Sequence, residues 1–203
     1  MGIPNGMFVK IKKISQTEWK KQHIISYSFF SSPFGKIMAA SLPQGICYVG
    51  YAYSHESALI ELHNRFPYDK LRRYKNKQHE QVKKLFNGKW EKEEKLILYL
   101  KGTEFQLKVW NALLEICTGS LSTYSKIASA IGSPKAQRAV GTAVGKNPIL
   151  YLIPCHRVMA QNGKIGGFYW GIERKMELLN AENADYLHFV SCVCPSTSRR
   201  GLL

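Results

Sequence analysis

The sequence predicts an α+β protein, with short antiparallel strands and helices in its first half and a mainly helical second half carrying a helix-turn-helix. Three observations predict it. β-Branched and aromatic runs separated by turn residues fill the first fifty positions, apolar residues recur at helical spacing from 103 onward, and two short helical stretches are joined by Gly132-Ser133-Pro134. Of the 203 residues, 45% are hydrophobic and 12% aromatic, enough apolar material to exclude a wholly disordered chain. Lys and Arg outnumber Asp and Glu 29 to 14, a formal charge of +15, which favours polyanionic partners, nucleic acid first and an anionic membrane surface second.

The runs HIISYSFF, KIMAAS and ICYVGY, punctuated by Ser-Pro-Phe-Gly at 32–35 and Pro-Gln-Gly at 43–45, read as a meander of antiparallel strands. Helices are expected around 54–66 and 78–87, then a strand at 96–100. Residues 1–102 carry 18 basic and 8 acidic side chains (+10) and 103–203 carry 11 and 6 (+5), so the basic excess is spread rather than gathered at one site. The densest cluster, LRRYKNK at 71–77, reads as a solvated loop or helix end, with a phosphate-contacting patch as the alternative. The texture changes at Lys101-Gly102, which divides the chain into an N-terminal domain (1–101), a second domain (102–184) and a loose tail (185–203).

Thr103-Glu104-Phe105-Gln106 is a capping box, so a helix is expected to start there and to run to about Thr118-Gly119 with Phe105, Val109, Ala112, Leu113 and Ile116 on one face. Tyr124, Ile127, Ala128 and Ile131 mark the next helix, and a second runs from Lys135 to Val144. Its Ala136, Val140 and Val144 face inward; Arg138, Gly141, Thr142 and Gly145 form the other face. Each such glycine costs a helix about 1 kcal/mol relative to Ala, so a face of Gly, Thr and one Arg fits close approach to a sugar-phosphate wall. Few long polar side chains are present to read a major groove, which favours the minor groove.

The apolar run after this helix ends in Pro154-Cys155-His156-Arg157-Val158, setting a thiol beside an imidazole. On an extended chain the two side chains would point apart, so a bend or a bridging water is needed to couple them. Gly163-Lys164-Ile165-Gly166-Gly167-Phe168-Tyr169-Trp170-Gly171 reads as an aromatic-lined loop, and the helix from Glu173 to Ala181 ends at Glu182, a carboxylate that could orient the imidazole. Five cysteines at irregular spacings argue against a disulfide framework and leave room for a working thiol. No signal sequence and no long apolar run is present, so a cytosolic or nuclear location is expected.

Gly102-Thr103-Glu104-Phe105-Gln106 with Val109-Trp110, Tyr124-Ser125-Lys126-Ile127-Ala128, Ala136-Gln137-Arg138-Ala139-Val140-Gly141, Asn147-Pro148, Ile153-Pro154-Cys155-His156-Arg157-Val158 and Gly163-Lys164-Ile165-Gly166-Gly167 together resemble the O6-alkylguanine-DNA alkyltransferases, also called methylated-DNA-protein-cysteine methyltransferases. The resemblance is detailed over about 102–182 and covers the first half in outline. It implies a ribonuclease-H-like N-terminal sheet with helices and a helical alkyltransferase domain. It also implies a suicide repair activity that moves an alkyl group from O6 of guanine, with O4 of thymine as a further target, onto Cys155 once and without turnover or cofactor.

In the family's manner His156 would activate Cys155 through a water and Glu182 would orient His156. Asn147 would brace the turn, and Tyr124 would donate to guanine N3. Arg138 would fill the gap left by the flipped nucleotide, on a helix whose Ala136, Gln137 and Thr142 also meet the DNA. Backbone groups of Cys155 and Val158 would hold the exocyclic amine, and Phe168, Tyr169 and Trp170 would line the pocket. The implied partner is double-stranded DNA carrying O6-alkylguanine, entered from the minor groove by a monomer, with no membrane involved; cooperativity along DNA is open. Trp170 stands where the family frequently has glycine, so a narrower pocket that prefers methyl is expected. Cys47 and the scattered histidines form no zinc ligand set, and Cys192-x-Cys194 lies beyond the matched region. Three other readings use some of the same residues: a lesion-binding protein without transfer chemistry, a helix-turn-helix regulator, and a Cys-His hydrolase. The first usually replaces the cysteine, the second needs a further domain, and the third leaves Arg138 and the helix pair unexplained.

Overall fold

Two edge strands the sequence conceals complete the first half. The computed structural model describes residues 9–89, 95–161 and 164–182. In chain order it contains β1 (Val9–Lys13), α1 (Gln16–Trp19), β2 (Ile24–Ser32), β3 (Gly35–Leu42), β4 (Gly45–Tyr51), α2 (His55–Arg65), β5 (Lys70–Arg73), α3 (Lys77–Phe86) and β6 (Leu96–Leu100). The meander β2–β3–β4 is antiparallel as expected, but the sheet as a whole is mixed, in the order β1-β6-β4-β3-β2-β5. β6 runs parallel to β1 and β4, and β5 parallel to β2, because helices carry the chain across the sheet before each.

β1 and β5 escape a reading by pattern for one reason: each lies at an edge and buries little. VKIKK turns only Val9 fully inward, and KLRR half-buries Leu71 alone. Of the 71–77 cluster, read as a solvated loop or helix end, residues 71–73 are corrected to strand β5, while 74–76 are an irregular lead into α3, which Lys77 opens and Asn76 caps by accepting from the His79 N–H. Lysine and arginine on an exposed edge also discourage pairing with another sheet.

The second half contains α4 (Glu104–Leu114), β7 (Ser122–Thr123), α5 (Tyr124–Ala130), α6 (Gln137–Gly145), β8 (Val158–Met159) and α7 (Ile172–Ala181). The capping box forms as written, the Gln106 N–H donating to Thr103 Oγ1 and the Thr103 N–H to Gln106 Oε1. α4 ends at Leu114, earlier than the apolar stripe suggests. Ile116 continues that stripe outside the helix, where its N–H closes a tighter bond to the Leu113 carbonyl. Trp110 reaches from α4 to donate its indole N–H to the Ala143 carbonyl of α6 at 2.9 Å. Gly102 permits this packing, since a Cβ there would stand 2.9 Å from the Trp110 ring.

The two halves share a core. One cluster takes Phe30, Ile37 and Leu98 from the sheet and Trp110, Val140 and Leu178 from the helices. β4 also holds the chain beyond α6 directly, through Val49 N–H to the Pro148 carbonyl and Leu150 N–H to the Val49 carbonyl. No helix among the described residues is long and apolar enough to cross a membrane. Gly163, the tail from 185 and the Cys192–Cys194 pair lie outside the described residues.

Candidate active site

The short parallel sheet β7–β8 pairs Ser122 with Val158 and Thr123 with Met159, so the start of α5 is fastened to the chain just after Cys155. Thr123 accepts from the Lys126 N–H and caps α5, which sets Tyr124 at its first position. α5 and α6 then pack as a pair across residues 131–136. Inward-facing Val140 and Val144 are buried as expected, while Ala136 is half-buried at the N-terminal cap of α6. Gln137, Arg138 and Thr142 are exposed, with the Thr142 hydroxyl donating to the Arg138 carbonyl. A cavity of about 310 Å³ brings Tyr124, Gln137, Arg138 and Gly141 together with Ala160 and Gln161.

Cys155–Arg157 is not extended: it forms one turn of 3-10 helix, which supplies the bend that a Cys-His pair needs. Asn147 organises the approach to it. Its Nδ2 donates to the Ile149 and Ile153 carbonyls at 2.9 and 3.1 Å and to Cys155 Sγ at 3.1 Å, while its Oδ1 accepts from the Ile149 N–H. Three acceptors share two hydrogens, so one bond is bifurcated. Burial pushes the Cys155 thiol up to about 11 against the opposing pull of Asn147 and Lys175. At neutral pH the sulfur is therefore protonated at rest and must lose its proton during the reaction.

His156 is fully buried. Its Nε2 lies 3.2 Å from Glu182 Oε1, and its Nδ1 has no partner among the described residues. Burial lowers the imidazole more than Glu182 raises it, which keeps it neutral and ready to accept a proton. Burial pushes the Glu182 carboxyl up as well, but bonds from His156 and Arg157 outweigh this and hold it at about 2. With His156 neutral, Arg157 is the cation responsible: its Nε donates to Oε2 at 2.8 Å and a terminal nitrogen to Oε1 at 2.7 Å. The same guanidinium also bonds the Ile116 carbonyl and Thr118 Oγ1. The sequence reading gives Arg157 and Lys175 no role at the site, although both are buried within it.

Lys175 is fully buried, and its ammonium donates to the Val158 and Ile165 carbonyls. Burial brings it down to about 8, opposed by its attraction to Cys155. One signal was present: Lys175 precedes Leu178 and Glu182 by three and seven residues, on the inward face of α7. Val158 is itself buried, with one lone pair of its carbonyl engaged by that ammonium. The glycine loop closes over Tyr124. Gly166 has φ +71°, and a Cβ there would stand 3.3 Å from the tyrosine hydroxyl.

Of the loop aromatics, Tyr169 is exposed beneath the Arg65 guanidinium and Phe168 is half-buried. Trp170 turns inward rather than standing at an exposed rim. It is 8% exposed, packs edge-on against Tyr51, Phe168 and Tyr169, and its carbonyl accepts from Tyr53.

A family model described as the DNA binding domain of 6-O-methylguanine DNA methyltransferase matches residues 104–184. The chain is 39% identical over 158 residues to the methylated-DNA–protein-cysteine methyltransferase of Methanosarcina acetivorans, covering 78% of this chain and 98% of that protein. It belongs to this family. The methylated-DNA–protein-cysteine methyltransferase of Haemophilus influenzae is 36% identical over 161 residues, covering 79% of this chain and 88% of that protein. Among solved structures, Mycobacterium tuberculosis OGT in complex with DNA superimposes with a TM-score of 0.62 at 32% identity, over 78% of this chain and 92% of that one. The match includes the mixed sheet as well as the helices, so the family's α+β architecture extends through both halves.

Proposed function

We propose that Cys155 is the acceptor in this alkyltransferase and that it takes a methyl group from O6 of guanine in duplex DNA, once per molecule. The observation that carries the reading is the buried array in which Asn147 holds the sulfur and Glu182, fixed by Arg157, holds the adjacent imidazole. His156 receives the thiol proton through a water, and Sγ attacks the alkyl carbon. The S–C bond forms as C–O6 breaks, the electron pair passes into the guanine ring, and the Tyr124 hydroxyl donates at N3 to stabilise it. Guanine regains a proton in place of the alkyl group, matching the one the thiol loses. The thioether has no facile route back to a thiol, so the protein is consumed.

The α5–α6 pair acts as a helix-turn-helix that enters the minor groove, and Arg138 fills the stack when the nucleotide is flipped out, a step costing a few kcal/mol. The β2–β4 meander with its flanking helices supports a ribonuclease-H-like reading of the first half. Incubation with duplex containing O6-methylguanine tests the function. The peptide carrying Cys155 is expected to gain one methyl mass, saturating at one equivalent; continued turnover, or label elsewhere, sinks it.

The glycines of α6 support the groove assignment because nothing among the described residues demands them. A Cβ on Gly145 would meet nothing within 4 Å, and one on Gly141 would make ordinary contact with the Tyr124 ring at 3.8 Å. The double change of Gly141 and Gly145 to Ala is expected to stabilise the fold by about 1–2 kcal/mol. It should nevertheless weaken binding to duplex DNA by roughly tenfold, the equivalent of about 1.4 kcal/mol. Thermal unfolding and a DNA titration read the two effects, and undiminished DNA binding would remove this face from the interface.

The resemblance assigns Trp170 a size limit that favours methyl, although its indole packs on Tyr51, Phe168 and Tyr169 and lines, with Tyr53 and Arg174, a different cavity from the one that holds Tyr124 and Arg138. Trp170→Gly should react with O6-benzylguanine at least about tenfold faster than the parent, while losing about 3–5 kcal/mol of stability for the buried indole. Equal rates of benzyl uptake would refute the limit.

A further inference from the structure

Tyr151 has φ 66°, the one described non-glycine residue with a left-handed backbone. A bulky L-residue holds that conformation only where its surroundings impose it. Its ring is 3% exposed and is seated by two phenyl rings of the first half. Phe34, in the β2–β3 turn, lies 5.2 Å away between centroids, and Phe86, at the end of α3, lies 5.3 Å away. The same ring stacks on the His156 imidazole at 5.6 Å and an interplanar angle of 24°.

We propose that Tyr151 is a positioning residue for His156: its ring fixes the imidazole plane and stabilises the imidazolium formed when the Cys155 proton is transferred, on a seat that Phe34 and Phe86 of the N-terminal half provide. The inference rests on the reading of Cys155 as acceptor and His156 as base. The charged groups facing His156 are Glu182 at the end of α7, which favours the imidazolium, and Arg157 of its own turn and Lys175 of α7, which oppose it. Burial opposes it most. An aromatic face presents negative charge density to the developing cation without burying a further ion. The stack also gives the sheet a part in the chemistry, because Phe34 and Phe86 belong to it and its helix, whereas the imidazole belongs to the second half.

The test is the single-turnover rate of methyl transfer from saturating O6-methylguanine duplex between pH 5 and 9, for the full chain and for Tyr151→Phe and Tyr151→Leu. Loss of the ring lowers the proton affinity of His156, so the acid limb of the Tyr151→Leu profile should move to lower pH. Its maximal rate should fall about tenfold while the half-saturating DNA concentration stays unchanged. Tyr151→Phe keeps the ring and should stay within about twofold of the parent. A Tyr151→Leu protein with the parent's rate and acid limb overturns the proposal. So does a loss confined to the methylatable fraction with the limb unmoved, or a Tyr151→Phe protein as slow as Tyr151→Leu. Should Tyr151→Leu not fold, Phe86→Leu, which loosens the seat without touching the imidazole, is judged by the same criteria. Failure of the parent protein to take up methyl at Cys155 would instead overturn the acceptor assignment itself.

Discussion

Glu182→Gln is expected to lose about 3–5 kcal/mol of folding stability at pH 7, because it leaves the Arg157 guanidinium buried opposite a neutral amide. The carboxylate is fully enclosed and takes two bonds from Arg157 and one contact from His156. The pH dependence fixes the sign. Glu182 is held at about 2 in the folded chain, below the unfolded value of about 4.3, so its contribution is fully present above pH 4.3 and is lost as pH falls toward 2. That difference corresponds to about 3 kcal/mol. Denaturant unfolding at pH 7 and near pH 3 should therefore show the gap between parent and variant narrowing in acid. Methyl transfer should slow by about 10–100-fold, since the imidazolium loses its counter-charge. A variant that transfers methyl at the parent's rate would leave Glu182 with a purely structural role.

Cys155→Ser is expected to abolish transfer, by at least about 10³-fold, while leaving the fold and DNA binding intact. Serine is close in size and can still accept from Asn147 Nδ2, so the buried turn loses little. What it lacks is the acidity and the soft, polarisable nucleophilicity of sulfur toward an alkyl carbon. The parent thiol, pushed up to about 11 by burial, should itself be slow toward iodoacetamide at pH 7 compared with an exposed cysteine, and fast only toward the bound lesion. Mass analysis after incubation with methylated duplex and with iodoacetamide measures both. A thiol that iodoacetamide alkylates as readily as a free one would contradict a proton held until His156 removes it.

The elements legible in the sequence are those whose signal is periodic and local. β2 to β4 alternate or run apolar between turn residues, Thr103 and Gln106 begin α4 wherever the rest of the chain goes, and the 3.6-residue spacing of α5 and α6 survives the break at Gly132. Cys155 and His156 stand out as polar residues ending an apolar run and Glu182 as a carboxylate at a helix end, whereas Asn147 is legible only through the family resemblance. The edge strands β1 and β5 are hidden by their lysines and arginines, since an edge buries too little apolar surface to impose a pattern.

On its own the sequence determined the meander β2–β4 and the helices α2 to α7, and it singled out Cys155 and His156 as candidates for the chemistry, because capping, turn and hydrophobic-period signals act over a few neighbours. Tertiary structure alone decided that Arg157 holds Glu182, that Lys175 lies beneath Val158, that Trp170 turns inward, and that Phe34 and Phe86 of the first half seat the Tyr151 ring that stacks on His156. Those placements depend on side chains from distant segments competing for one buried volume. Arg157 and Glu182 are 25 residues apart, Lys175 and Val158 17, and Trp170 and Tyr51 119; Tyr151 is only five residues from His156, but the Phe34 and Phe86 rings that seat it are 117 and 65 residues away, beyond the reach of any local rule.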